Sequence, residues 1–258
     1  MKLTNALLYR LIEIAWAASD KIMAIYEQTI TFSLKSDNSP VTMADLASHN
    51  IITDALSELL PSIPIVSEEN TELINLDKTN YSTFWLIDPL DGTKEFIHRN
   101  GEFSINIALI DKNEPQFGLI CSPMIQTIYL GIKHNGAFKY SRQGNKILLT
   151  DVKSMLEGLS VLHSRSHDSP LALMPHLPNL PIKEFIPLGS ALKFCALAEG
   201  KAHVYPRLSG SMEWDTAAGH ALLMATGGRI ETFDKKSLAY GKKQFKNPPF
   251  IAYANCLI

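Results

Sequence analysis

Cysteine is scarce in this chain of 258 residues: three, Cys121, Cys195 and Cys256, stand far apart. That spacing builds no disulfide framework and no ligand pair, and an odd number favours reduced thiols in a cytoplasmic setting. A surplus charge of either sign is also missing. Against 24 Lys and Arg stand 26 Asp and Glu, for a net charge of −2. Nothing there points to a nucleic acid polymer or a membrane surface as partner. The one basic cluster, "KKSLAYGKKQFK" (235–246), reads as a solvated loop. No apolar run reaches the length of a membrane span. Arg10 and Glu13 interrupt the stretch before "AWAAS" (15–19), so the N-terminus reads as an amphipathic helix and not as a secretion signal. The expected location is the cytoplasm, with a peripheral place at the inner membrane left open, as is the oligomeric state.

What the chain does have is ample core material, 46% hydrophobic residues against 19% charged. Apolar positions at helical spacing predict a first helix over 4–28, and a second runs from about 43 to 60, ended by Pro61. A polar loop, "LKSDNSPVT" (34–42), separates them. "PIVSEEN" (64–70) reads as a short strand entering two glutamates, and "FWLID" (84–88) as a buried strand. "FSINIALID", "QFGLICS", "TIYLGIK" and "AFKYS" follow as four more strand candidates. After about residue 150 strands alternate with helices: "LSVLHS" (159–164), "KEFIPLG" (183–189), "SALKFCALAEG" (190–200), "AHVYP" (202–206) and "DTAAGHALLMATGG" (215–228). The expectation is an α+β half, residues 1–150, before an α/β half, residues 151–258, with a shared interface.

Four acidic positions fall at the ends of these elements. Glu68 and Asp88 each follow a strand, Asp91 lies three residues on in "DPLDGT", and Asp215 opens a helix. Singly, each has an ordinary explanation as a cap, a turn or a solvated edge. Together, carboxylates at neighbouring strand ends would repel unless hard cations neutralised them, and an all-oxygen set favours Mg²⁺. No Cys or His accompanies them at zinc-like spacing. Thr93 offers a hydroxyl to orient an attacking water, with Asp45 to accept from it. The helix starts after Gly189 and at Asp215 offer N–H groups to a phosphate.

"SPVTMAD" (39–45), "SEE" (67–69), "DPLDGT" (88–93) and "WDTAAG" (214–219) resemble, in order and spacing, the signatures of the lithium-sensitive, Mg²⁺-dependent inositol monophosphatase superfamily. The resemblance spans nearly the whole chain and implies that family's layered α-β-α-β-α sandwich. It implies two or three Mg²⁺ per active site. Glu68, Asp88 and the Leu90 carbonyl would hold the first metal; Asp88, Asp91 and Asp215 would hold the second. Asp45 and Thr93 would activate the water. Lys35 and Asp37 would help to hold a further weak metal or its waters, and Glu69 has no assigned role.

"DPLDGTKEFIHRNGEFSINIALI", "SRSH" (164–167), "GSALKFCALAEG" (189–200) and "YPR" (205–207) resemble the CysQ-type 3′(2′),5′-bisphosphate nucleotidases within that superfamily. Position 208, where inositol monophosphatases carry a polyol-binding glutamate, is Leu208. The resemblance implies hydrolysis of adenosine 3′,5′-bisphosphate to AMP and phosphate in support of sulfur assimilation, with its sulfated form as a second substrate. Ser164, His167, Gly189 and Lys193 would then surround the nucleotide, with Glu68, Leu90, Asp91, Gly92, Thr93 and Asp215 at the scissile phosphate. Arg207 is a further candidate for the 5′-phosphate. Two alternatives stand beside this reading: an inositol or sugar-phosphate phosphatase, and a non-catalytic nucleotide sensor. "LSGSMEWD" (208–215) and the proline-rich "PHLPNLPIKEF" (175–185) depart from the nucleotidase pattern at the pocket rim.

Overall fold

Thr4 opens the first helix: its Oγ1 accepts from Leu7 N at 3.3 Å and caps α1, Asn5–Tyr26. Leu8, Leu11, Ala15, Ala18 and Ile22 form its buried stripe. The structure is a computed structural model and describes residues 4–35, 39–70, 81–150 and 158–255. Where the sequence suggested a loop over 34–42, β1 (Phe32–Leu34) and β2 (Pro40–Thr42) pair antiparallel instead. Three-residue strands are too short to leave an alternation in the sequence. Asp37 lies outside the described residues. Thr42 then caps α2, Met43–Leu59, in a reciprocal box with Asp45.

Next come β3 (Ile65–Ser67), β4 (Thr83–Asp91), the short α3 (Thr93–Ile97), β5 (Ser104–Asp111), β6 (Glu114–Ser122), β7 (Thr127–Ile132), β8 (Gly136–Ser141) and β9 (Lys146–Leu149). They form one seven-stranded sheet in sequential order, antiparallel except for the parallel β3–β4 pair. Its central strands are buried on both faces. In β4, Trp85 and Ile87 join the core under α1 and α2, while Phe84 and Leu86 join the core on the other side. Two-sided burial explains why these strands read as continuous apolar runs and not as alternations.

The C-terminal part adds β10 (Leu159–His163), α4 (Pro170–Leu173), β11 (Ile182–Pro187), α5 (Leu192–Ala198), β12 (Val204–Arg207), β13 (Ser211–Met212), α6 (Glu213–Ala225), β14 (Arg229–Thr232), β15 (Lys246–Asn247) and β16 (Phe250–Tyr253). Five of these strands make a second sheet in the order β11-β10-β12-β16-β14. It is mixed: β10 runs parallel to β11 and β12, and β16 antiparallel to β12 and β14. Strands β14 and β16 escaped the sequence reading, being four residues each beside the basic cluster. That cluster is a loop, but an anchored one. Leu238, Tyr240 and Phe245 are buried, and Lys242 pairs with the buried Glu213 at 2.7 Å.

The layers are therefore α1 and α2, the seven-stranded sheet, α5 and α6, and the five-stranded sheet, whose other face packs Leu159, Val161, Val204 and Ile251 against Leu177 and Leu180. One core holds Val66, Phe84 and Tyr129 together with Leu162, Leu197, Trp214 and Phe250. Helix α6 lies on the large sheet at two cross-strand partners, Gly118 and Gly131. A Cβ there would meet Ala218 O and Leu222 Cα, each at 2.3 Å. Only glycine lets the helix backbone come so close.

Candidate active site

One face of α2 gathers three motif segments. Asp45, Ser48 and His49 sit at i, i+3 and i+4, so they project together. Asp45 Oδ1 accepts from Thr93 Oγ1 at 3.0 Å, Ser48 Oγ donates to Pro89 O at 2.7 Å, and His49 Nδ1 meets Ser67 Oγ at 2.8 Å. Asp45 is buried, and desolvation raises its pKa against hydrogen bonds from Thr42 and Thr93.

Strand β4 does not end at Asp88 as the sequence suggested. It continues through a β-bulge to Asp91, with Asp88 opposite Asn106 and Asp91 opposite Ser104. Residues three apart on a regular strand face opposite sides. Here their partners are two apart, so the extra residue brings both aspartates to one face. Pro89, which has no N–H to give the ladder, sits within the bulge. Gly92 then turns the chain at φ +92°, where a Cβ would lie 2.9 Å from Glu102 O.

These aspartates share a cavity of about 490 Å³ with Glu68, Leu90, Thr93 and Asp215. Burial pushes Asp91 up to about 6 and Asp215 up to about 8, with repulsion from neighbouring carboxylates in the same direction. Asp88 is driven up by burial and by Glu68, Asp91 and Asp215. Each is held by one backbone N–H: Asp88 Oδ1 by Leu90 at 3.1 Å, Asp91 Oδ2 by Ala191 at 2.5 Å, and Asp215 Oδ2 by Met212 at 2.9 Å. Their other oxygens accept from no protein donor among the described residues. Glu68 is held by Lys35 Nζ at 2.7 Å, which also reaches Glu69 at 2.6 Å. Burial opposes the Lys35 charge, but the two glutamates outweigh it and hold its pKa above the ordinary value. Burial lifts Glu69 to about 7. Among the described residues no three such side chains already converge as a ready metal-binding group. The donor set nevertheless fits a hard divalent cation: all oxygen, mutually repelling, and with lone pairs left open to one cavity.

The far wall comes from the C-terminal part: Ser164, Ser166, His167, Ser190, Lys193, Tyr205 and Arg207. Lys193 is 4% exposed, its Nζ donating to Ser190 O at 2.6 Å and Leu188 O at 3.1 Å. Burial lowers its pKa to about 8, against the pull of Asp91. Burial, with Arg207 and Lys94 nearby, takes His167 down to about 4, so it is neutral at pH 7. Gly189 is not on the wall. Its N–H donates to Glu102 Oε2 at 2.7 Å, and a Cβ would collide with Glu102 O at 2.7 Å. At the helix start after Gly189, read from sequence as offering N–H groups to a phosphate, the Ala191 N–H is turned onto the Asp91 carboxylate.

Sequence reading missed Glu95, Ser166, Tyr205 and Asn247, which also line this cavity, and the supports Ser48, His49 and Asn106. The i, i+3, i+4 polar stripe on α2 was a usable signal for Ser48 and His49. Nothing local marks Asn106, whose Nδ2 reaches Asp91 Oδ2 at 3.3 Å from the neighbouring strand.

An acid cluster, a hydroxyl–carboxylate pair and a cationic far wall around one cavity make an all-oxygen site suited to a hard cation and an anionic ligand. The chain belongs to the inositol monophosphatase family, whose model matches residues 5–253. It is 38% identical over 247 residues to the 3′(2′),5′-bisphosphate nucleotidase CysQ of Salmonella typhimurium, covering 95% of this chain and 98% of the relative. Identity to the protein of that name from Escherichia coli K12 is 39% over 241 residues, covering 92% and 96%. The crystal structure of CysQ from Bacteroides thetaiotaomicron, a bacterial member of the inositol monophosphatase family, superposes with a TM-score of 0.81 at 35% identity, covering 96% of each chain.

Proposed function

We propose that this chain is a Mg²⁺-dependent 3′(2′),5′-bisphosphate nucleotidase, which hydrolyses the 3′-phosphate of adenosine 3′,5′-bisphosphate to give AMP and phosphate. One observation carries the reading: the Thr93–Asp45 pair opens on the same cavity as four carboxylates, facing a wall of Ser164, Ser166, His167 and Lys193. Residues 1–150 contribute the acidic and water-activating side of the site, and residues 151–258 the nucleotide side together with Asp215.

Glu68, Asp88, Asp91, Asp215 and the Leu90 carbonyl would hold Mg²⁺, which when bound supplies Lewis-acid stabilisation of charge on the phosphoryl oxygens. The rest falls to the chain. Thr93 donates its single proton to Asp45 and keeps its lone pairs for a water, so that water is oriented and its proton has a path toward Asp45. The water oxygen bonds to phosphorus, the P–O3′ bond breaks, and the 3′-oxygen leaves with a proton from solvent. Lys193 and Arg207 offer positive charge to the second phosphate. Neutral His167 and the hydroxyls of Ser164 and Ser166 offer hydrogen bonds to the nucleoside.

The inositol phosphatase alternative is disfavoured by Leu208. It borders a separate apolar groove with Phe233 and Leu238, so neither its chemistry nor its place suits a polyol. The sensor alternative is disfavoured by the intact Thr93–Asp45 pair, which binding alone does not require. Phosphate release from adenosine 3′,5′-bisphosphate, inositol 1-phosphate and fructose 1,6-bisphosphate, with and without Mg²⁺, tests the reading. The bisphosphonucleotide should be strongly preferred and turnover should require the metal; preference for inositol 1-phosphate would overturn it.

A further inference from the structure

Glu95 is a carboxylate outside the acid cluster, with Lys193 and Arg165 as its charged neighbours. It is the third residue of α3, where a glutamate commonly reaches back to the N-cap N–H. Here the N-cap is Gly92, and α3 has no side-chain cap bond. The Glu95 side chain turns instead to the cavity, where it lies 7% exposed, two residues beyond Thr93.

Its orientation is fixed from across the pocket. Ser166 Oγ donates to Glu95 Oε1 at 3.0 Å. The loop bearing Ser166 is pinned on both sides. Arg165 grips Glu102 through Nε and Nη2, each at 2.5 Å. Asp168 accepts from Leu208 N at 3.0 Å and Ser209 N at 3.1 Å. Glu95 Oε2 accepts from no protein donor among the described residues. A carboxylate this buried, with one oxygen satisfied and one open to a ligand cavity, is an acceptor awaiting a donor on the ligand. It does not serve phosphate, which it repels.

We propose that Glu95 is a specificity-determining residue, accepting a hydrogen bond from the ribose hydroxyl vicinal to the scissile phosphate. The assignment rests on the nucleotidase reading. Two kinds of donor on the nucleotide could meet Glu95: a ribose hydroxyl and the exocyclic amine of the base. Thr93 serves the phosphorus, and Glu95 lies on the same short turn, so the donor next to the phosphate is the one within its reach. A vicinal diol is also symmetrical for this purpose. Whichever of O2′ and O3′ carries the phosphate, the other is a hydroxyl, and one acceptor serves both isomers.

The test compares kcat/KM for adenosine 3′,5′-bisphosphate, its 2′-deoxy analogue and inosine 3′,5′-bisphosphate in the wild type, Glu95→Ala and Glu95→Gln. Loss of one bond to a charged acceptor is on the order of ten- to a hundredfold. The wild type should favour the ribose over the deoxyribose substrate by about that factor. Glu95→Ala should bring the ratio close to one by slowing only the ribose substrate, and Glu95→Gln, which keeps a neutral acceptor, should fall between. An unchanged ribose-to-deoxyribose ratio in an active Glu95→Ala, or equal losses on both substrates, would overturn the assignment. So would a change in the adenosine-to-inosine ratio alone, which would give Glu95 to the base. If Glu95→Ala does not fold, Glu95→Gln decides by the same ratios. A wild type inactive on every bisphosphonucleotide would overturn the nucleotidase reading, a result distinct from all of these.

Discussion

Thr93 Oγ1 lies 3.0 Å from Asp45 Oδ1 and 3.2 Å from the Leu90 carbonyl, yet it has one proton to give. Asp45 Oδ2 is meanwhile occupied by Thr42 N at 2.8 Å and Thr42 Oγ1 at 2.6 Å. The same carboxylate thus caps α2 with one oxygen and holds Thr93 with the other. A cation taking the Leu90 carbonyl would leave Asp45 as the only acceptor and set the Thr93 lone pairs for a water.

Thr93→Val keeps the shape and removes the hydroxyl. Proton-transfer assistance is worth roughly 10²–10⁴-fold in rate. The expected outcome is a fall of that size in kcat with nucleotide affinity little changed. Unaltered kcat in a folded variant would make Thr93 a turn residue only. Asp45→Asn should lower kcat too and also cost stability, because its capping oxygen is disturbed.

The acid cluster makes a prediction about stability and pH. The folded-state pKa values of Asp91 and Asp215, about 6 and about 8, lie above the ordinary 3.8. Their protonated forms are favoured by folding, so the stability they contribute is full below about pH 4 and is lost as the pH rises through 6 and 8. Cation-free protein should therefore melt at lower temperature at pH 8 than at pH 6, and Mg²⁺ should raise Tm more at pH 8 than at pH 6. Asp91→Asn should abolish activity, shrink the Mg²⁺-induced rise and leave the cation-free protein no less stable. A Tm response to Mg²⁺ equal to the wild type would remove Asp91 from the donor set.

Lys193 tests the nucleotide wall. Its ammonium is buried near Asp91 and stands 5.1 Å from the centre of the Tyr205 ring. With a pKa of about 8 it is cationic below that pH and neutral above it. Wild-type KM for adenosine 3′,5′-bisphosphate should climb as the pH passes 8. Lys193→Met, which keeps an apolar stem in the same space, should raise KM about ten- to a hundredfold and flatten that climb. The effect on a simple phosphate ester should be smaller. Parallel losses on both substrates would mean that Lys193 holds the fold and not the nucleotide.

Much of the site was readable because its residues travel in contiguous motifs. "DPLDGT" places Asp88, Leu90, Asp91 and Thr93 within six residues, and "WDTAAG" marks the start of α6. The long helices and two-sided strands were legible for the same reason: each repeats one period over many residues. What escaped depends on register and on contacts between distant segments. The bulge that puts Asp88 and Asp91 on one face is visible only once β4 is paired with β5. Glu102 is a loop residue in sequence. In the fold its carboxylate joins Arg165 to Gly189, and its backbone dictates glycine at positions 92 and 189. Gly189, expected beside the nucleotide, is instead a packing glycine behind the wall.

The last prediction concerns the seat of Asp215. Helix α6 carries that residue in its first turn and meets the large sheet one turn later, where Ala218 and Leu222 lie over Gly118 and Gly131. An added methyl at Gly118 would stand 2.3 Å from a backbone oxygen, which no side-chain rotation can relieve. The helix must lift from the sheet. Overpacking of this kind costs about 1–3 kcal/mol, at times more, and a chain of this size loses roughly 2–4 °C in Tm for each kcal/mol. Gly118→Ala and Gly131→Ala should therefore melt several degrees lower than the wild type. They should also lose kcat well below the melting range, because the displaced helix carries Asp215 away from Asp88 and Asp91. Gly210→Ala, with open space around its added methyl, is the control and should keep its Tm. Normal kcat in a Gly118→Ala protein that melts early would show that the α6 contact with the sheet serves stability alone and that Asp215 is positioned by its own first turn.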